Sequence, residues 1–393
     1  MAERFITLAE VSFDGKGSYG IGASAVPYSE ELYTYLRITD INDDGTLNFN
    51  DLKSVDDEKA KDYLLKPNDI VFARTGASTG RNYFYDGSDG EFVYAGFLIK
   101  FSIDDKKINP KYVKYYCQSA DYKGWINSFN TGSTRGNINA QTLGKMPIPL
   151  LERKQQDNLV SILSSIDEKI KKNNQINNNL EQQMQALYKS WFVDFEPYNG
   201  TKPANWNKTD IYSIANIIYG APFASKLFNT EGLGKPIIRI RDLKEQTFVT
   251  YTTEDHPKGH LIQPGDIVVG MDGEFRPYLW GNEEAWLNQR VCIFENKRLN
   301  GKAFLLYTIK PLLNVIEQTQ VATTVIHIGK KDFDAFEIFL PDDDSLNRFD
   351  EITMPMVEQI VNNRLENKRL SNLLDVLLPK LMSGEINVSE IDL

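Results

Sequence analysis

Two glycine-rich polar loops in the first part of the chain concentrate residue types that bind nucleic acid. One follows Asp69-Ile-Val-Phe-Ala73 and reads Arg74-Thr-Gly-Ala-Ser-Thr-Gly-Arg81; the other reads Asn130-Thr-Gly-Ser-Thr-Arg-Gly-Asn137. Arginine and asparagine can form paired hydrogen bonds with guanine and adenine edges, hydroxyls can bond to phosphate, and glycines let the backbone approach closely. We predict that DNA is contacted by Arg74, Thr75, Ser78, Thr79, Arg81, Ser133, Arg135 and Asn137.

The second half of the chain holds a comparable polar set. The stretch Asp272-Gly-Glu-Phe-Arg276 follows the run Asp266-Ile-Val-Val-Gly270, and Asn288-Gln-Arg290 comes shortly after it. Any one of these residues could instead belong to a solvated turn or be a structural arginine, but their occurrence as two sets favours a shared role. The predicted DNA contacts in this half are Arg239, Arg241, Arg276, Asn288, Gln289 and Arg290.

Motifs for catalysis are missing. Gly15-Lys-Gly-Ser-Tyr-Gly20 has the spacing of a dinucleotide-binding motif, but no apolar strand precedes it, so we interpret it as a loop. No Gly-Lys pair precedes Ser or Thr, which excludes a phosphate-binding P-loop. His256 and His260 are four residues apart, but Pro257 and Gly259 disfavour the helix that would bring them to one zinc ion. The sequence contains no string similar to Asn-Pro-Pro-Phe or Asp-Pro-Pro-Tyr, the kind that holds a flipped adenine for methylation. The sequence therefore predicts a chain that is not itself an enzyme.

Composition indicates a folded protein of two or three domains. Of the 393 residues, 41% are hydrophobic and 25% are charged. The net charge of −10 disfavours a free-standing DNA binder, although local arginines or a partner can supply phosphate contacts. Cys117 and Cys292 lack metal-ligand spacing and exclude a disulfide scaffold. No run reaches the roughly 18 apolar residues of a membrane helix, and the N-terminus lacks a secretion signal, so we expect a cytoplasmic protein without membrane contact.

Two short strings recur along the chain. Lys66-Pro-Asn-Asp-Ile-Val71 is echoed 197 residues later by Gln263-Pro-Gly-Asp-Ile-Val268, and Leu36-Arg-Ile-Thr-Asp40 is echoed 202 residues later by Ile238-Arg-Ile-Arg-Asp242. Either match alone could arise by chance between strand-like strings. Because both occur in the same order at nearly the same separation, they indicate a tandem duplication.

The strongest repeat is a pair of helical heptad seams. Their positions alternate spacings of four and three residues, which is the pattern of a coiled coil. The first seam comprises Leu159, Leu163, Ile166, Ile170, Asn173, Asn177, Leu180, Met184, Leu187 and Trp191, and the second, 190 residues later, comprises Phe349, Thr353, Met356, Ile360, Asn363, Asn367, Leu370, Leu374, Leu377 and Leu381.

Each seam carries two asparagines at matching positions. Antiparallel helices would pair Asn173 with Asn367 and Asn177 with Asn363, whereas parallel helices would also match asparagine with asparagine. A duplicated chain closes most simply about a pseudo-two-fold axis, which favours the antiparallel arrangement. Asparagines buried on a seam cost stability and fix the pairing register. We therefore interpret these four residues as a register lock.

The segments outside the seams, 1–150 and 196–341, are rich in short β-branched and aromatic runs separated by glycine, proline and asparagine. We predict an α+β fold, in which two mixed globules are separated by two long helices packed as an antiparallel coiled coil. The helices lie within 151–195 and 342–393. We expect Pro355 to kink the second helix or to delay its start.

Several strings resemble a known family. Glu152-Arg-Lys-Gln-Gln-Asp157, Leu187-Tyr-Lys-Ser-Trp-Phe-Val-Asp-Phe195 and Leu378-Pro-Lys-Leu-Met-Ser-Gly-Glu-Ile386 are similar to conserved regions of the specificity (S) subunit of type I restriction–modification systems. Gly265-Asp-Ile-Val-Val-Gly-Met-Asp-Gly-Glu-Phe275 together with Leu287-Asn-Gln-Arg-Val-Cys292 resembles a string in that family's target recognition domains. The resemblance covers essentially the whole chain, and its helical motifs are the most specific to the family.

The resemblance implies a division of labour. Segments 1–150 and 196–341 would be target recognition domains that each read half of a bipartite double-stranded DNA site. Segment 151–195 would be the central conserved helix, and 342–393 the distal conserved helix with the C-terminal tail; their coil would set the gap between half-sites. Two methyltransferase subunits, which methylate adenine with S-adenosylmethionine, would dock on these helices. Nuclease–translocase (R) subunits would add restriction that uses ATP and Mg, and no cofactor is expected in this chain.

Two other interpretations stay open at this point. The chain could be the DNA-recognition subunit of another phage-defence or DNA-modification assembly, which the neighbouring open reading frames would distinguish. It could also be a coiled-coil scaffold, which predicts no sequence-dependent DNA retention with any partner. The bases that are read do not follow from the sequence, because they depend on docking geometry.

Overall fold

The computed structural model describes residues 4–129, 137–319 and 327–386. The chain divides into two compact units, which we call unit 1 (Met1–Asp167 with Asn372–Leu393) and unit 2 (Glu168–Ser371). Each unit contains its own sheets and takes a segment from both of the long helices. The assignment of separate functions to four consecutive segments stays a prediction.

Unit 1 is built from short strands and three short helices before the first long helix begins. Its strands are β1 (Phe5–Thr7), β2 (Ser18–Tyr19), β3 (Ala25–Pro27), β4 (Tyr33–Leu36), β5 (Lys53–Val55), β6 (Asp69–Ala73), β7 (Asn82–Tyr85), β8 (Phe92–Tyr94), β9 (Leu98–Ser102) and β10 (Pro147–Pro149). Its helices are α1 (Pro110–Tyr116), α2 (Ala120–Asn127) and α3 (Ala140–Gly144), and α4 (Arg153–Phe192) continues from unit 1 into unit 2. Its sheets have the strand orders β2-β9-β6-β7, β3-β5-β4-β8 and β1-β10.

Unit 2 repeats this plan. Its strands are β11 (Asn207–Asp210), β12 (Ala215–Tyr219), β13 (Phe228–Asn229), β14 (Lys235–Ile238), β15 (Tyr251–Thr252), β16 (Leu261–Ile262), β17 (Ile267–Gly270), β18 (Pro277–Leu279), β19 (Ala285–Leu287), β20 (Val291–Asn296) and β21 (Glu337–Leu340). Its helices are α5 (Lys302–Thr319) and α6 (Lys330–Phe333), and α7 (Asp343–Met382) continues from unit 2 into unit 1. Its sheets have the orders β12-β20-β17-β18, β13-β15-β14-β19-β16 and β11-β21.

Short 3-10 helices connect several of these strands. They are Ile38–Asp40, Ala60–Tyr63 and Gly76–Ser78 in unit 1, and Glu196–Tyr198, Ile211–Ser213, Ser225–Leu227 and Ile240–Asp242 in unit 2.

The tandem duplication predicted from the repeated strings is confirmed by strand order and register. In unit 1, β6 pairs antiparallel with β9 and aligns Ile70 with Phe101; in unit 2, β17 pairs antiparallel with β20 and aligns Ile267 with Phe294. The parallel pairs β4–β8 and β14–β19 also correspond. Because both units use the same pairings, their equivalent residues can be assigned from the backbone. The predicted α+β class is confirmed as well.

Strand β6 of unit 1 and strand β17 of unit 2 are buried on both faces. In unit 1, Ile70 and Phe72 face a core that includes seam residues of the long helices, while Val71 faces a second core toward the other sheet. In unit 2, Ile267 belongs to the helix-side core and Val268 to the opposite one. Side chains alternate between the two faces of a strand. Both faces are covered here, which explains why the residues after the aspartate in each Asp-Ile-Val string are apolar.

The predicted antiparallel pairing of the asparagines is confirmed within unit 2. The Nδ2 of Asn173 donates to the Oδ1 of Asn367 at 2.8 Å, and the Nδ2 of Asn363 donates to the Oδ1 of Asn177 at 2.8 Å. As the residue number rises on α4, its partner's number falls on α7, so the helices run in opposite directions. Asn173, Asn177 and Asn363 are buried, and their role as a register lock stays a prediction.

Within unit 1 the same two helices meet through apolar residues. Leu159 and Leu163 of α4 are fully buried in one core with Leu378 and Leu381 of α7. The helix pair is therefore apolar in unit 1 and carries asparagine pairs in unit 2.

Of the two effects expected of Pro355, the delayed start of the second helix is wrong, and the kink stays a prediction. Helix α7 begins at Asp343, twelve residues before Pro355, and continues to Met382. Proline removes the hydrogen bond to the carbonyl four residues earlier, which belongs to Glu351. Both Glu351 and Pro355 are exposed, so water can reach that carbonyl and the missing bond costs little.

Two interpretations of the catalytic-looking motifs are confirmed. The segment from Gly15 to Gly17 forms a bend that leads into β2, and no helix starts there. His256 and His260 lie outside any helix. Neither motif has the local structure that its chemistry requires.

Candidate nucleic-acid interface

A frame of backbone hydrogen bonds closes one end of the main sheet in unit 1. Arg74 follows β6, and its N–H donates to the carbonyl of Phe97 at 3.1 Å. The Arg74 carbonyl accepts from the N–H of Ile138 at 2.9 Å, and Thr75 forms an antiparallel bridge with Asn137. These bonds bring three segments that are distant in sequence to the end of β6.

Unit 2 repeats the frame with different residues. Met271 follows β17, and its N–H donates to the carbonyl of Arg290 at 2.8 Å. The Met271 carbonyl accepts from the N–H of Ile328 at 2.9 Å, and Asp272 forms an antiparallel bridge with His327. Each of these residues has a counterpart in unit 1 that makes the same backbone bond.

A tyrosine completes each region; it comes from the strand that pairs with β9 in unit 1 and with β20 in unit 2. Tyr19 of β2 lies opposite Ile99, and Tyr219 of β12 lies opposite Cys292. We call the two regions polar edge 1 and polar edge 2. Polar edge 1 comprises Tyr19, Arg74, Thr75, Phe97 and Asn137, and polar edge 2 comprises Tyr219, Met271, Asp272, Arg290 and His327.

At polar edge 1 the guanidinium of Arg74 lies between two aromatic rings. Its Cζ atom is 5.2 Å from the ring centroid of Tyr19 and 6.0 Å from that of Phe97, and both rings are exposed. In the part of the chain that the structure describes, the buried Nε of Arg74 has no hydrogen-bond partner. Stacked guanidinium groups of this kind can bind a phosphate or a base edge.

At polar edge 2 a carboxylate holds the arginine. Nη1 of Arg290 lies 3.0 Å from Oδ1 of Asp272, and Nδ1 of His327 lies 2.6 Å from the same oxygen. The side chains of Arg290 and His327 are about half exposed, at 52% and 46%, whereas that of Asp272 is 25% exposed. The less exposed Asp272 carboxylate therefore contacts both the Arg290 guanidinium and the His327 ring.

The predicted loop after Arg74 is closed by its own hydrogen bonds. Gly76 and Gly80 have φ values of 75° and 89°, which side chains rarely permit. The hydroxyl of Thr79 donates to the carbonyl of Gly76 at 2.8 Å. Thr75 precedes this turn, and Ser78 lies half-buried within it. The loop is thus a fixed turn at polar edge 1.

Arg81 is engaged by a carboxylate of its own unit. Its Nε and Nη2 donate to the two oxygens of Asp43 at 2.6 and 3.2 Å, and its Nη1 donates to the carbonyl of Ile41 at 3.2 Å. These bonds use the same donors that would contact a guanine. Arg81 would have to exchange them to bind DNA.

The repeated Arg-Ile-x-Asp string forms the same turn in both units. The Asp40 carboxylate accepts from the N–H of Arg37 at 2.8 Å, and that of Asp242 accepts from the N–H of Arg239 at 3.0 Å. The guanidinium of Arg239 also donates to the hydroxyl of Thr250. Arg239 therefore stabilises its own turn, while the neighbouring Arg241 is exposed.

The remaining predicted contacts in unit 2 differ in exposure. The side chain of Arg276 is 59% exposed, with Nε 3.7 Å from a carboxylate oxygen of Glu274. Asn288 is buried, and its Oδ1 accepts from the N–H of Gln289 at 2.9 Å, so it stabilises the turn. Gln289 is exposed beside Arg290.

Ser133 and Arg135 lie outside the described residues. The structure brings Arg74, Thr75 and Asn137 together at polar edge 1, and it places Arg290 at polar edge 2. Contact of any of these residues with DNA stays a prediction.

Sequence reasoning did not single out Tyr19, Phe97 or His327. Phe97 is the counterpart of Arg290, 193 residues away, and Asn137 is the counterpart of His327, 190 residues away. Comparing the residues that occupy these equivalent places would have identified all three. The two repeated strings did not extend far enough to give that alignment.

The two cysteines lie outside the polar edges. Cys117 and Cys292 are free and buried, and burial raises the pKa of both thiols, which keeps them protonated. Within the described ranges, no group of three or more His, Cys, Asp or Glu residues is placed to hold a metal ion. No helix in those ranges is long and apolar enough to cross a membrane.

Comparisons with known proteins agree with the duplicated architecture. The family model of the type I restriction modification DNA specificity domain matches residues 24–182 and again residues 203–374. The type I restriction enzyme MjaIX specificity subunit of Methanocaldococcus jannaschii is 23% identical over 308 residues, covering 72% of this chain and 70% of that protein. The HindI specificity subunit of Haemophilus influenzae is 21% identical, covering 82% and 87%.

A third relative matches over a shorter stretch. The EcoBI specificity subunit of Escherichia coli is 31% identical over 188 residues, covering 48% of this chain and 35% of that protein. Among solved structures, the type I restriction–modification S subunit of M. genitalium has a TM-score of 0.54 at 15% identity, covering 97% of this chain and 96% of that one. This last likeness concerns the fold.

Proposed function

This chain belongs to the family of type I restriction–modification DNA specificity subunits, and from that premise we propose that it reads a two-part DNA site. Each unit reads one half-site through its polar edge. The observation that carries this proposal is the repeated backbone frame, which presents an exposed or stacked arginine in each unit, Arg74 and Arg290.

The chemistry of the polar edges supports base reading. Arginine recognises guanine through two hydrogen bonds to N7 and O6, and asparagine recognises adenine in a similar way. Polar edge 1 offers Arg74 and Asn137, and polar edge 2 offers Arg290 with Gln289 beside it. Asn137, Gln289 and Arg290 are exposed, and Arg74 is half-buried.

The acidic net charge of −10 fits a subunit that works in a complex. Phosphate contacts dominate affinity for DNA, and an acidic chain alone supplies few of them. We propose that two methyltransferase subunits share these contacts and bring S-adenosylmethionine for adenine methylation. Nuclease–translocase subunits with ATP and Mg would act on the same assembly.

This chain's own contribution is binding and positioning, not bond making. The protonated, buried thiols of Cys117 and Cys292 are unsuited to nucleophilic attack. His327 at polar edge 2 contacts the carboxylate of Asp272, and that carboxylate also contacts Arg290. Methyl transfer would then take place on the partner subunits.

Methylome sequencing tests the proposal. The purified chain alone should transfer no methyl groups, whereas its complex with the cognate methyltransferase should methylate a two-part DNA site. The same methyltransferase without this chain provides the control. Methylation by the chain alone, or methylation by the complex at a continuous or random sequence, would contradict the proposal.

A further inference from the structure

Polar edge 2 contains a linked set of three side chains whose combined role is not explained by the predicted contacts. Arg290, Asp272 and His327 come from three separate segments: the turn before β20, the end of β17 and the segment before α6. We infer that Asp272 is a positioning residue that fixes Arg290 for recognition of a guanine, and that His327 holds Asp272 in place. This inference rests on the proposed function.

The neighbours of the His327 ring indicate which of its contacts are donated. Nδ1 of His327 lies 2.6 Å from Oδ1 of Asp272 and 3.0 Å from the carbonyl oxygen of Met271. The carboxylate and the carbonyl can only accept, so we assign the hydrogen to Nδ1, which then donates to them. Nη1 of Arg290 also approaches this nitrogen, at 3.0 Å, because both donors converge on the same carboxylate.

The carboxylate of Asp272 contacts both of these neighbours. Its Oδ1 lies 3.0 Å from Nη1 of Arg290, and its Oδ2 lies 3.4 Å from the same nitrogen. Asp272 is also the least exposed of the three side chains. It is therefore placed beside Arg290 where it can orient the guanidinium.

The free part of Arg290 matches a guanine. Within the described part of the chain, the side chain of Arg290 donates only through Nη1, to Asp272. Nε and Nη2 are left to donate side by side to guanine N7 and O6. A phosphate is the less favourable ligand here, because the Asp272 carboxylate neutralises Arg290 and repels an anion.

The backbone of Arg290 adds a second observation. Its φ is 70°, in the left-handed region that glycine prefers and other residues seldom adopt. A non-glycine residue kept in this conformation at a surface turn is typical of positions where the side chain is needed. Replacing Arg290 with glycine removes the side chain and relaxes this backbone at the same time.

Unit 1 supplies the natural residues for matched variants. Thr75 occupies the place of Asp272, and Asn137 occupies the place of His327. Asp272→Thr removes the carboxylate with a residue that the same frame accepts. His327→Asn keeps a donor, because the amide nitrogen of asparagine can take the position of Nδ1, whereas His327→Leu removes it.

The test uses the full chain in complex with its cognate methyltransferase and a library of duplexes with randomised sequence, read by methylation sequencing. Arg290→Gly and Asp272→Thr should each reduce the preference for guanine at one position of one half-site by about 10- to 100-fold. The double variant should lose no more than Arg290→Gly alone, because Asp272 acts through Arg290. His327→Asn should retain the preference, and His327→Leu should lose it.

Different failures have different meanings. If the wild-type complex methylates without sequence preference, the proposed function fails. If the wild type is specific and Arg290→Gly leaves every base preference unchanged, only the present inference is overturned. Additive losses in the double variant would show that Asp272 contacts DNA directly and would overturn its positioning role.

Folding is monitored through the other half-site. A correctly folded Arg290→Gly complex keeps the base preferences of the half-site read by unit 1. If it does not, Arg290→Lys replaces it, since lysine keeps the charge but lacks the planar fork. Full guanine preference with Arg290→Lys would contradict recognition by the fork.

Discussion

The two units build the same frame but place the arginine of the polar edge on different segments. In unit 1 it is Arg74, directly after β6, and it lies between the rings of Tyr19 and Phe97. In unit 2 it is Arg290, on the turn before β20, and Asp272 holds it. The frame itself uses backbone atoms, so the side chains at its places differ between the units while the backbone bonds are kept. The two units therefore keep the same sheet pairings with different edge residues.

The long helices pack through apolar seam residues in both units, and unit 2 adds asparagine pairs. Unit 1 packs Leu159 and Leu163 into an apolar core with residues of α7, whereas unit 2 pairs Asn177 with Asn363. Apolar seam residues contribute most to stability, and buried asparagines favour one register over others. We therefore expect substitutions in the two halves of the helix pair to have different consequences.

The largest effect is expected from Leu163→Ala in unit 1. Leu163 is fully buried, and its truncation should lower the free energy of unfolding by about 2–5 kcal/mol. Urea unfolding of the full chain measures the loss, and hydrogen exchange locates it in the amides of unit 1. The exposed Ser161→Ala on the same helix serves as the control and should change stability by less than about 0.5 kcal/mol. Equal loss of protection in unit 2 would mean that the units do not unfold separately.

A smaller loss is expected from Asn177→Ala in unit 2. This change leaves the Asn363 amide without the acceptor that it contacts at 2.8 Å, which should cost about 1–3 kcal/mol. The double variant Asn177→Leu with Asn363→Leu should recover that loss in urea unfolding, because matched apolar residues replace a buried polar pair. If the double variant stays as unstable as Asn177→Ala, the asparagines stabilise the helix pair and are not a register device.

Arg74→Ala sharpens the comparison of the polar edges. It should weaken selection at one half-site by about 1–3 kcal/mol, which is roughly 10- to 100-fold, and leave the half-site read by Arg290 unchanged. Methylome sequencing of the complex measures both half-sites in one sample. Arg74→Lys separates the two ligand types: it should restore binding if Arg74 contacts phosphate and should not if it reads a base. A change at both half-sites would break the assignment of one half-site to each unit.

The repeats and seams in the sequence were sufficient to predict the duplicated α+β fold. The heptad spacing located both long helices, and the pseudo-two-fold argument favoured the pairs Asn173–Asn367 and Asn177–Asn363. These features could be predicted because they depend on local periodicity. The uninterrupted start of α7 could not, because the cost of Pro355 depends on whether Glu351 is exposed.

The composition of the polar edges was only partly predictable for a different reason. The separation of equivalent residues falls from 202 at Arg37 and Arg239 to 190 at Asn137 and His327, because the connecting loops differ in length between the units. String matching therefore loses the alignment before it reaches Phe97. The ion pair of Arg81 with Asp43 joins residues 38 positions apart, and no local pattern indicates such a contact.

The smallest effect is expected from Arg276→Ala in unit 2, and it distinguishes two kinds of arginine within one unit. The side chain of Arg276 is 59% exposed, with its Nε 3.7 Å from a carboxylate oxygen of Glu274, so a phosphate can reach its charge. The preceding Phe275 is buried and anchors the loop, so the fold should not change. A lost phosphate contact weakens binding to all sequences equally and reduces the slope of log affinity against log salt by about 1.

Titration of duplex DNA at several salt concentrations measures that slope for the complex. Glu274→Gln is the matched variant: removing the negative charge beside Arg276 should raise affinity for all duplexes without changing base preference. Arg290 should behave in the opposite way, since Asp272 already neutralises it and its loss should change a base preference more than the salt slope. If Arg276→Ala alters a base preference and leaves the slope unchanged, Arg276 reads a base. Polar edge 2 would then extend along the loop from Asp272 to Arg276, and the contrast with the compact polar edge 1 would be greater than the frame alone suggests.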